Sequence, residues 1–286
     1  MTQEALPAVE PPSDSRDRVD PFLRWAGGKR WLLPEVETLT SGLQINRYIE
    51  PFLGGGSIFF GLTSTKDALL SDLNEELIEV YELVKKDPDG VVEALGEYVN
   101  TAECYYSARS NVPTTSRLRA ARFIFLNQTS YNGIYRVNLN GKYNVPYGNR
   151  KYVRPFDLDA ARRVSAKLRT AEIRALDFEV AIAEAGPGDF LFVDPPYTVA
   201  HNNNGFVKYN RHLFNFEDQR RLAEALSLAA ERGAKFIMTN AAHKSIEDLF
   251  SPLAERKVVT RQNLIGGKSA KRGKAEELLF TNLDIS

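Results

Sequence analysis

Between Arg47 and Asp72 the chain reads as strand, glycine turn, helix and strand, and the second strand ends in an acid. Arg47-Tyr48-Ile49-Glu50-Pro51-Phe52 has the length and apolar content of a buried strand. Leu53-Gly54-Gly55-Gly56-Ser57 turns the backbone, and Ile58-Phe59-Phe60-Gly61-Leu62 opens a helix. Ala68-Leu69-Leu70-Ser71-Asp72 is the next strand, and an amphipathic helix follows over 74–86. This order is the βαβ unit of an open sheet whose ligands sit at the ends of its strands. The same rhythm returns later, with strands at Glu172–Asp177, Gly188–Val193 and Ala234–Asn240 and a helix over 216–232. The last stretch, Leu264 to Thr281, predicts an antiparallel pair joined through Gly266-Gly267 and a basic loop. The fold class is therefore α/β, with helices on both faces of one sheet.

The middle of the chain breaks that rhythm. Residues 88–130 read as polar helices, and 157–169 as an Arg-rich helix. Between them lie two turn dipeptides, Asn132-Gly133 and Asn140-Gly141. The second is flanked by Arg-Val-Asn-Leu and Lys-Tyr-Asn-Val, the strongest local signal for a β-hairpin. The simplest parse is an α/β unit made of residues 21–87 and 170–286, interrupted by a helical, hairpin-bearing insertion at 88–169. Residues 1–20, with three prolines and mixed charge, read as a disordered tail. Nearer the start, Phe22–Trp25 is a short strand or approach segment. Residues 26–30 form a loop, and 31–39 a short helix with Pro34 in its first turn.

Composition removes several classes of function. The chain has 286 residues, 43% hydrophobic and 26% charged, as an ordinary globular protein does. A single cysteine, Cys104, leaves no internal disulfide and no Cys-cluster zinc site. The three histidines show no metal-ligand spacing, so no metal is expected. No apolar run is long enough to span a membrane, and no secretory signal is seen, which makes a cytoplasmic protein the default. The net charge is zero, but it is unevenly distributed. Residues 115–175 hold thirteen Lys/Arg against three Asp/Glu, and residues 255–274 hold seven against one. Residues 72–103 hold ten acids and two bases. A basic face on a neutral molecule is a footprint for phosphate, and hence for nucleic acid; helix-surface arginines without a partner are the plainer alternative.

Asp194-Pro195-Pro196-Tyr197 carries the most specific chemistry. It follows the apolar strand Gly188–Val193, so the carboxylate stands at a strand end. Two prolines fix the backbone and remove two N–H donors, which leaves carbonyls free to accept. An aromatic ring stands beside them. These parts suit a planar substrate with an exocyclic amine. The glycine turn at Gly54 to Gly56 allows close backbone approach to a ligand, or is only a tight turn. It lacks the Lys-Ser/Thr ending of a phosphate-binding loop, which argues against ATP hydrolysis. Asp72 can take a ribose diol or cap the helix after it. Asp177 and Phe178 can hold an adenine ring, or serve as cap and core. Trp25 and Lys29 can cover a cofactor, although a tryptophan is also ordinary core.

The chain resembles the Dam-like (D12 class, α-type) S-adenosylmethionine-dependent DNA adenine-N6 methyltransferases. The resemblance rests on Phe22-Leu23-Arg24-Trp25-Ala26-Gly27-Gly28-Lys29, Glu50-Pro51-Phe52-Leu53-Gly54-Gly55-Gly56-Ser57 and Ser71-Asp72-Leu73-Asn74. Asn144-Val145-Pro146-Tyr147-Gly148 and Asp194-Pro195-Pro196-Tyr197 complete it, in the family's order over roughly residues 20–282. It implies a Rossmann-like S-adenosylmethionine methyltransferase sheet, with the 88–169 insertion recognising the target in DNA. The catalytic residues it implies are Asp194, Pro195, Pro196 and Tyr197. The cofactor, S-adenosyl-L-methionine, falls to Trp25, Lys29, Phe52, Gly54, Gly56, Ser57, Asp72, Asp177, Phe178 and Asp194.

Double-stranded DNA is the implied partner, with the target adenine flipped out because its amine is out of reach in the duplex. By the same resemblance Tyr131 fills the gap, Asn132 sits at the flipping step, Ile134 lies in the reading hairpin and Arg136 reads a guanine edge. Pro146 touches a thymine methyl, and Lys142, Arg150, Lys151 and Arg154 hold phosphates. The implied site is GATC. The enzyme acts alone in a bacterium or phage, or beside a separate restriction endonuclease. The loop 198–210 does not match the Dam enzymes and is expected to close over the site; the basic 268–274 segment is a second phosphate contact or a solvated loop. RNA adenine as substrate, and a catalytically silent sequence-specific DNA-binding protein, are the alternatives.

Overall fold

The structure, a computed structural model, describes residues 18–63, 67–138, 140–153, 156–197, 214–262 and 274–285. Most of the tail, the loop 198–210, Arg154 and nearly all of the 268–274 segment lie outside the described residues. Among the described residues, seven strands form one sheet. In chain order they are β1 (Tyr48–Glu50), β2 (Ala68–Asp72), β3 (Ala171–Ala175), β4 (Phe190–Val193), β5 (Lys235–Ala241), β6 (Glu255–Gln262) and β7 (Lys274–Thr281). Their order across the sheet is β3-β2-β1-β4-β5-β7-β6. The first five strands run parallel, and β7 lies antiparallel between β5 and β6. This is a Rossmann-like sheet, as the resemblance implies. The order reverses between β1 and β4, which puts a crevice at the carboxyl ends of those two strands.

The strands are apolar on both faces because both faces are covered. Their period of two sorts the side chains. Tyr48, Leu70, Phe190 and Phe192 point into one core, and Ile49, Leu69, Leu191 and Val193 into the other. The first core is closed by α1 (Leu33–Leu39), α2 (Glu75–Lys86), α3 (Pro88–Leu95), α5 (Ser116–Thr129) and α6 (Leu158–Leu168). The second is closed by α7 (Phe178–Ala183), α8 (Phe216–Glu231) and α9 (Lys244–Phe250). α4 (Ala102–Ser110) packs on α5 in a small satellite core around Tyr105 and Phe125. Caps mark the helix starts: the side chains of Asn74, Asp87, Thr101 and Asp157 each accept a backbone N–H from the first turn that follows.

Three expectations change, and one open alternative is resolved. Residues 58–62 form no helix; they make single turns, with Phe60 N–H donating to the Gly56 carbonyl (3.0 Å) and Leu62 N–H to that of Ile58 (3.0 Å). The segment is pressed against α1 so closely that a Cβ on Gly61 would lie 2.2 Å from Leu33 Cδ1. The first strand of the final pair is Glu255–Gln262, earlier than Leu264. As an edge strand it pairs only with β7, so its sequence Glu-Arg-Lys-Val-Val-Thr-Arg-Gln can be rich in charge. Phe22–Trp25 is an approach segment and not a strand. The Asn127 side chain takes the place of a neighbouring strand, accepting from Arg24 N–H (2.8 Å) and donating to the Arg24 carbonyl (2.7 Å). Arg18 to Asp20, read with the tail, are held by Val19 N–H on the Phe60 carbonyl (3.0 Å) and Arg18 on Glu37 (2.7 Å).

Candidate active site

Four acids gather at the carboxyl ends of the parallel strands: Glu50 closes β1, Asp72 closes β2, Asp194 follows β4, and Glu277 on β7 pairs in register with Ala241 at the end of β5. Lys29 lies among them, 2% exposed. Its Nζ is 2.9 Å from Asp194 Oδ1 and 3.6 Å from Glu277 Oε2, and it donates to the Gly27 carbonyl (2.9 Å). The Thr239 hydroxyl on β5 donates to the same Asp194 Oδ1 (2.7 Å), so that oxygen is doubly engaged. Asp194 Oδ2 takes no hydrogen bond from a described side chain. Tyr197 donates its hydroxyl to Glu277 Oε2 (2.8 Å), and its ring lies under the Lys29 ammonium at 5.0 Å. Pro195 is buried and Pro196 half-buried.

Burial sets the proton affinities here. It raises the Asp194 carboxyl above the ordinary range, against the opposing pull of Lys29 and Thr239. It pushes Glu50 up to about 8, although the Tyr48 hydroxyl donates to it (2.7 Å), and the Asp194 charge adds to the rise. Asp72 is raised by burial too, offset by backbone N–H groups. Tyr197 is pushed well above 10.0 by burial and then by the charges of Asp194 and Glu277.

The glycine turn is built for close approach. Gly54 and Gly56 have φ of 47° and 63°, where side chains are strained. Asp72 Oδ2 accepts from Gly54 N–H (3.0 Å), and its Oδ1 from Asn74 N–H (3.0 Å). The helix cap expected as its alternative role falls to Asn74. Trp25 lies over the turn: a Cβ on Gly54 would meet its Cδ1 at 2.6 Å. The Trp25 ring in turn stacks on Tyr135, 5.4 Å between centroids and 17° from parallel. Ser57 Oγ accepts from Lys29 N–H (2.9 Å), tying the turn to the loop that carries the lysine. Phe52 is half-buried and stacks on Phe178 (5.4 Å), which belongs to the core. Asp177 caps α7 through Glu179 N–H and pairs with Arg221 at 3.0 Å. Sequence reasoning missed Thr239, Glu277 and Tyr135. Thr239 is a polar residue inside an apolar strand, and that is the signal that could have found it.

The second surface is the hairpin. Gly141 N–H donates to the Asn138 carbonyl (2.9 Å) and Asn138 N–H to that of Lys142 (2.8 Å), which closes the turn at Asn140-Gly141. Val137 faces Tyr143 across it. Tyr131 is 56% exposed at the start of a short 3-10 turn whose Asn132 has φ 57°. Asn132, Arg136, Lys142, Pro146 and Lys151 are exposed as well, while Ile134 and Arg150 are half-buried. Arg136 Nε is held by Asn144 Oδ1 (2.8 Å). Arg150 donates to the carbonyls of Gln128 (3.3 Å) and Ser130 (3.2 Å), so its first role is internal.

The basic excess over 115–175 is smaller in space than in sequence. Arg117 pairs with Asp87, Arg119 with Glu79 and Arg162 with Asp89, so part of it folds onto the acidic 72–103 segment. Arg122 is buried on the carbonyls of Ala108 and Arg109. The charge segregation therefore reflects helix–helix pairing as well as an outward basic face.

The family model of the D12 class N6 adenine-specific DNA methyltransferases matches residues 25–264. A Type II methyltransferase of Lactococcus lactis subsp. cremoris is 36% identical over 273 residues, covering 92% of this chain and 95% of its own. One from Methanocaldococcus jannaschii is 37% identical over 290 residues, covering 92% and 99%. The DNA adenine methylase of Escherichia coli K12 is 32% identical over 266 residues, covering 90% and 93%.

Proposed function

This chain belongs to the D12 class of N6 adenine-specific DNA methyltransferases, and we propose that it methylates the N6 amine of a flipped-out adenine in a short duplex site, GATC, using S-adenosylmethionine. The observation that carries the reading is the division of labour on Asp194. One of its oxygens is committed to Lys29 and Thr239, and the other, with no described side chain donating to it, is the one proposed for the substrate. The amine of adenine is a poor nucleophile because its lone pair is delocalised into the ring. Asp194 Oδ2 and the Pro195 carbonyl accept its two N–H bonds, draw the nitrogen toward tetrahedral geometry and aim its lone pair. Tyr197 stacks on the base. The raised proton affinity of Asp194 suits it to take the one proton N6 must lose. Catalysis is then positioning and electrostatics around an in-line displacement.

The residues present fit the cofactor. Gly54 and Gly56 keep the turn free of side chains at positive φ, with Trp25 and Phe60 packed where a Cβ would stand, and Asp72 lies at the strand end beside it. S-adenosylmethionine, when bound, supplies a methyl group made electrophilic by its sulfonium. Asp72 would hold the ribose, while Trp25 and Phe52 would cover the ring systems, with Phe178 behind Phe52. Gly54, Gly56 and Ser57 would line the turn, and Lys29 would meet the carboxylate. Asp177 would reach the adenine amine only by exchanging its pairing with Arg221.

Residues 88–169 form the proposed recognition unit, with Tyr131, Asn132, Ile134, Arg136 and Pro146 at the bases and Lys142, Arg150 and Lys151 at phosphates. Tyr135 supports this assignment, because its stack on Trp25 couples the hairpin to the cofactor turn. We read the protein as cytoplasmic, acting alone or beside a separate endonuclease. No helix among the described residues is long and apolar enough to cross a membrane, and none of their His, Cys, Asp and Glu clusters could hold a metal.

The test is sequencing of plasmid DNA from methylase-deficient cells that express the chain. Methyl-adenine at GATC is the expected result. Unmodified DNA from cells that hold folded, cofactor-binding protein would refute it. Asp194→Ala should keep cofactor and DNA binding and lose transfer.

A further inference from the structure

Thr239 lies in the middle of a buried strand, where a valine would fill the same space without a hydroxyl to satisfy. It is fully buried on β5, on the same face as Ile237 and Ala241. β5 pairs in parallel with β4 as far as Met238 and Val193, so the residues that follow, Thr239 and Asp194, stand side by side. The Thr239 hydroxyl donates to Asp194 Oδ1 (2.7 Å) and lies within hydrogen-bonding reach of the Tyr197 hydroxyl. One residue of β5 thus touches both the first and the last member of Asp194-Pro195-Pro196-Tyr197. The other buried threonines among the described residues, Thr129 and Thr281, give their hydroxyls to backbone carbonyls instead. We propose that Thr239 is a positioning residue for methyl transfer, fixing the rotation of the Asp194 carboxylate so that Oδ2 faces the amine of the substrate. This rests on the role of Asp194 proposed above.

Lys29 touches the same oxygen, but it supplies a charge and not a direction. An ammonium is a compact charge on a flexible stem with three rotatable donors. This one also donates to the Gly27 carbonyl and lies 3.6 Å from Glu277 Oε2. A threonine is stiff at χ1, and here it is carried by a strand paired on both sides. Its single O–H therefore points along one line, and a carboxylate oxygen held on that line sets where the other oxygen lies. Hydrogen bonds to a charged acceptor are the strong ones, so the hold is firm.

The experiment compares Thr239→Val and Thr239→Ser in the full chain. Valine keeps the shape and removes the hydroxyl, whereas serine keeps the hydroxyl. Single-turnover methylation of a duplex carrying the recognised site should slow by about tenfold to a hundredfold in Thr239→Val, as expected for one lost hydrogen bond to a charged group. Thr239→Ser should stay within about threefold of the wild type, because that bond is kept. Calorimetric affinities for S-adenosylhomocysteine and for the duplex should stay within about twofold in both variants. The pH profile gives a further readout. Burial raises the Asp194 carboxyl, and Lys29 and Thr239 oppose the rise. Loss of the hydroxyl should therefore move the acid limb of the single-turnover profile to higher pH in Thr239→Val and not in Thr239→Ser. Among the described residues, Lys29 from the loop before α1, Glu50 from β1, Glu277 from β7 and Tyr197 from the same turn are the other ionisable groups bearing on Asp194, and neither variant alters them. An unslowed Thr239→Val, an unmoved limb, ligand binding lost in step with the rate, or a serine variant as slow as the valine one overturns the proposal. Asp194→Ala separates it from the reading beneath it. Transfer retained in Asp194→Ala, or absent from the wild type, overturns that reading and this inference together; an inactive Asp194→Ala beside an unaffected Thr239→Val overturns this inference alone.

Discussion

Replacing Lys29 by methionine isolates the electrostatics of the site. Methionine fills the space of the lysine stem and removes the charge, together with the hydrogen bond to the Gly27 carbonyl. At an effective dielectric of about 20, unit charges at the 2.9 Å Lys29–Asp194 separation attract by roughly 6 kcal/mol. Part of that offsets the desolvation of a side chain only 3% exposed, and breaking one partner of a buried pair typically costs about 3–5 kcal/mol. Lys29→Met should therefore lower the unfolding free energy by about 3–5 kcal/mol at pH 8. The effect must depend on pH, because the abandoned carboxylates can pick up protons. Burial already raises Asp194 above its unfolded value, and loss of the ammonium that opposes that rise raises it further. A carboxyl with a raised folded pKa binds protons more tightly when native, so its stabilising contribution is present at low pH and is lost as pH rises through the folded value. The penalty should shrink by half or more between pH 8 and pH 5. Urea denaturation of both proteins at the two pH values is the assay. A penalty below about 1 kcal/mol at pH 8, or one equal at both pH values, would refute the reasoning.

Three other perturbations have defined outcomes. Glu50, raised from 4.5 to about 8, makes the native protein lose stability as pH climbs through that window; Glu50→Gln should flatten the slope in urea melts, and an unchanged slope would locate the proton elsewhere. If Arg136 reads a guanine as proposed, Arg136→Ala should cost roughly 1–3 kcal/mol of discrimination against sites altered at that base. If activity on single-base variants of the site falls equally, Arg136 contacts only phosphate. Asn127→Ala strips both backbone groups of Arg24 of their partner, so the melting midpoint should drop with a loss of about 1–3 kcal/mol per unsatisfied group; a loss under 0.5 kcal/mol, roughly the noise of a surface substitution, would mean water replaces the amide.

What could be read from the sequence follows from how local each feature is. The parallel strands announce themselves because each is buried on both faces and must be apolar throughout: Ala68–Leu70 and Phe190–Val193 are near-continuous hydrophobic runs. Asp72 and Asp194 stand at the ends of such runs, so their position near a ligand crevice is visible without a structure. The edge strand Glu255–Gln262 is hidden for the opposite reason, since a strand with one neighbour and charged side chains has no alternation to detect. The 58–62 segment has the composition of a helix start but makes only single turns packed against Leu33.

Pairings across the chain are the least legible of all. The excess of arginine over 115–175 looks like a surface for phosphate, yet Arg117, Arg119 and Arg162 meet acids that stand 30 to 73 residues earlier in the chain. Net charge along a sequence is a sum, and only folding shows which members of the sum cancel. Glu277 makes the same point inside the site. Beside Glu276, in the run Lys-Ala-Glu-Glu-Leu-Leu-Phe-Thr, nothing local marks which of the two glutamates is buried. The antiparallel register of β7 against β5 decides it. Glu277 is set beside Ala241, and the pleat turns it toward Tyr197 and Lys29, while Glu276 is exposed. A one-residue slip of that strand would exchange the two and remove the carboxylate from the site. The charge balance around Asp194 therefore depends on the pairing of a strand that contains none of the motifs by which the chain resembles its family.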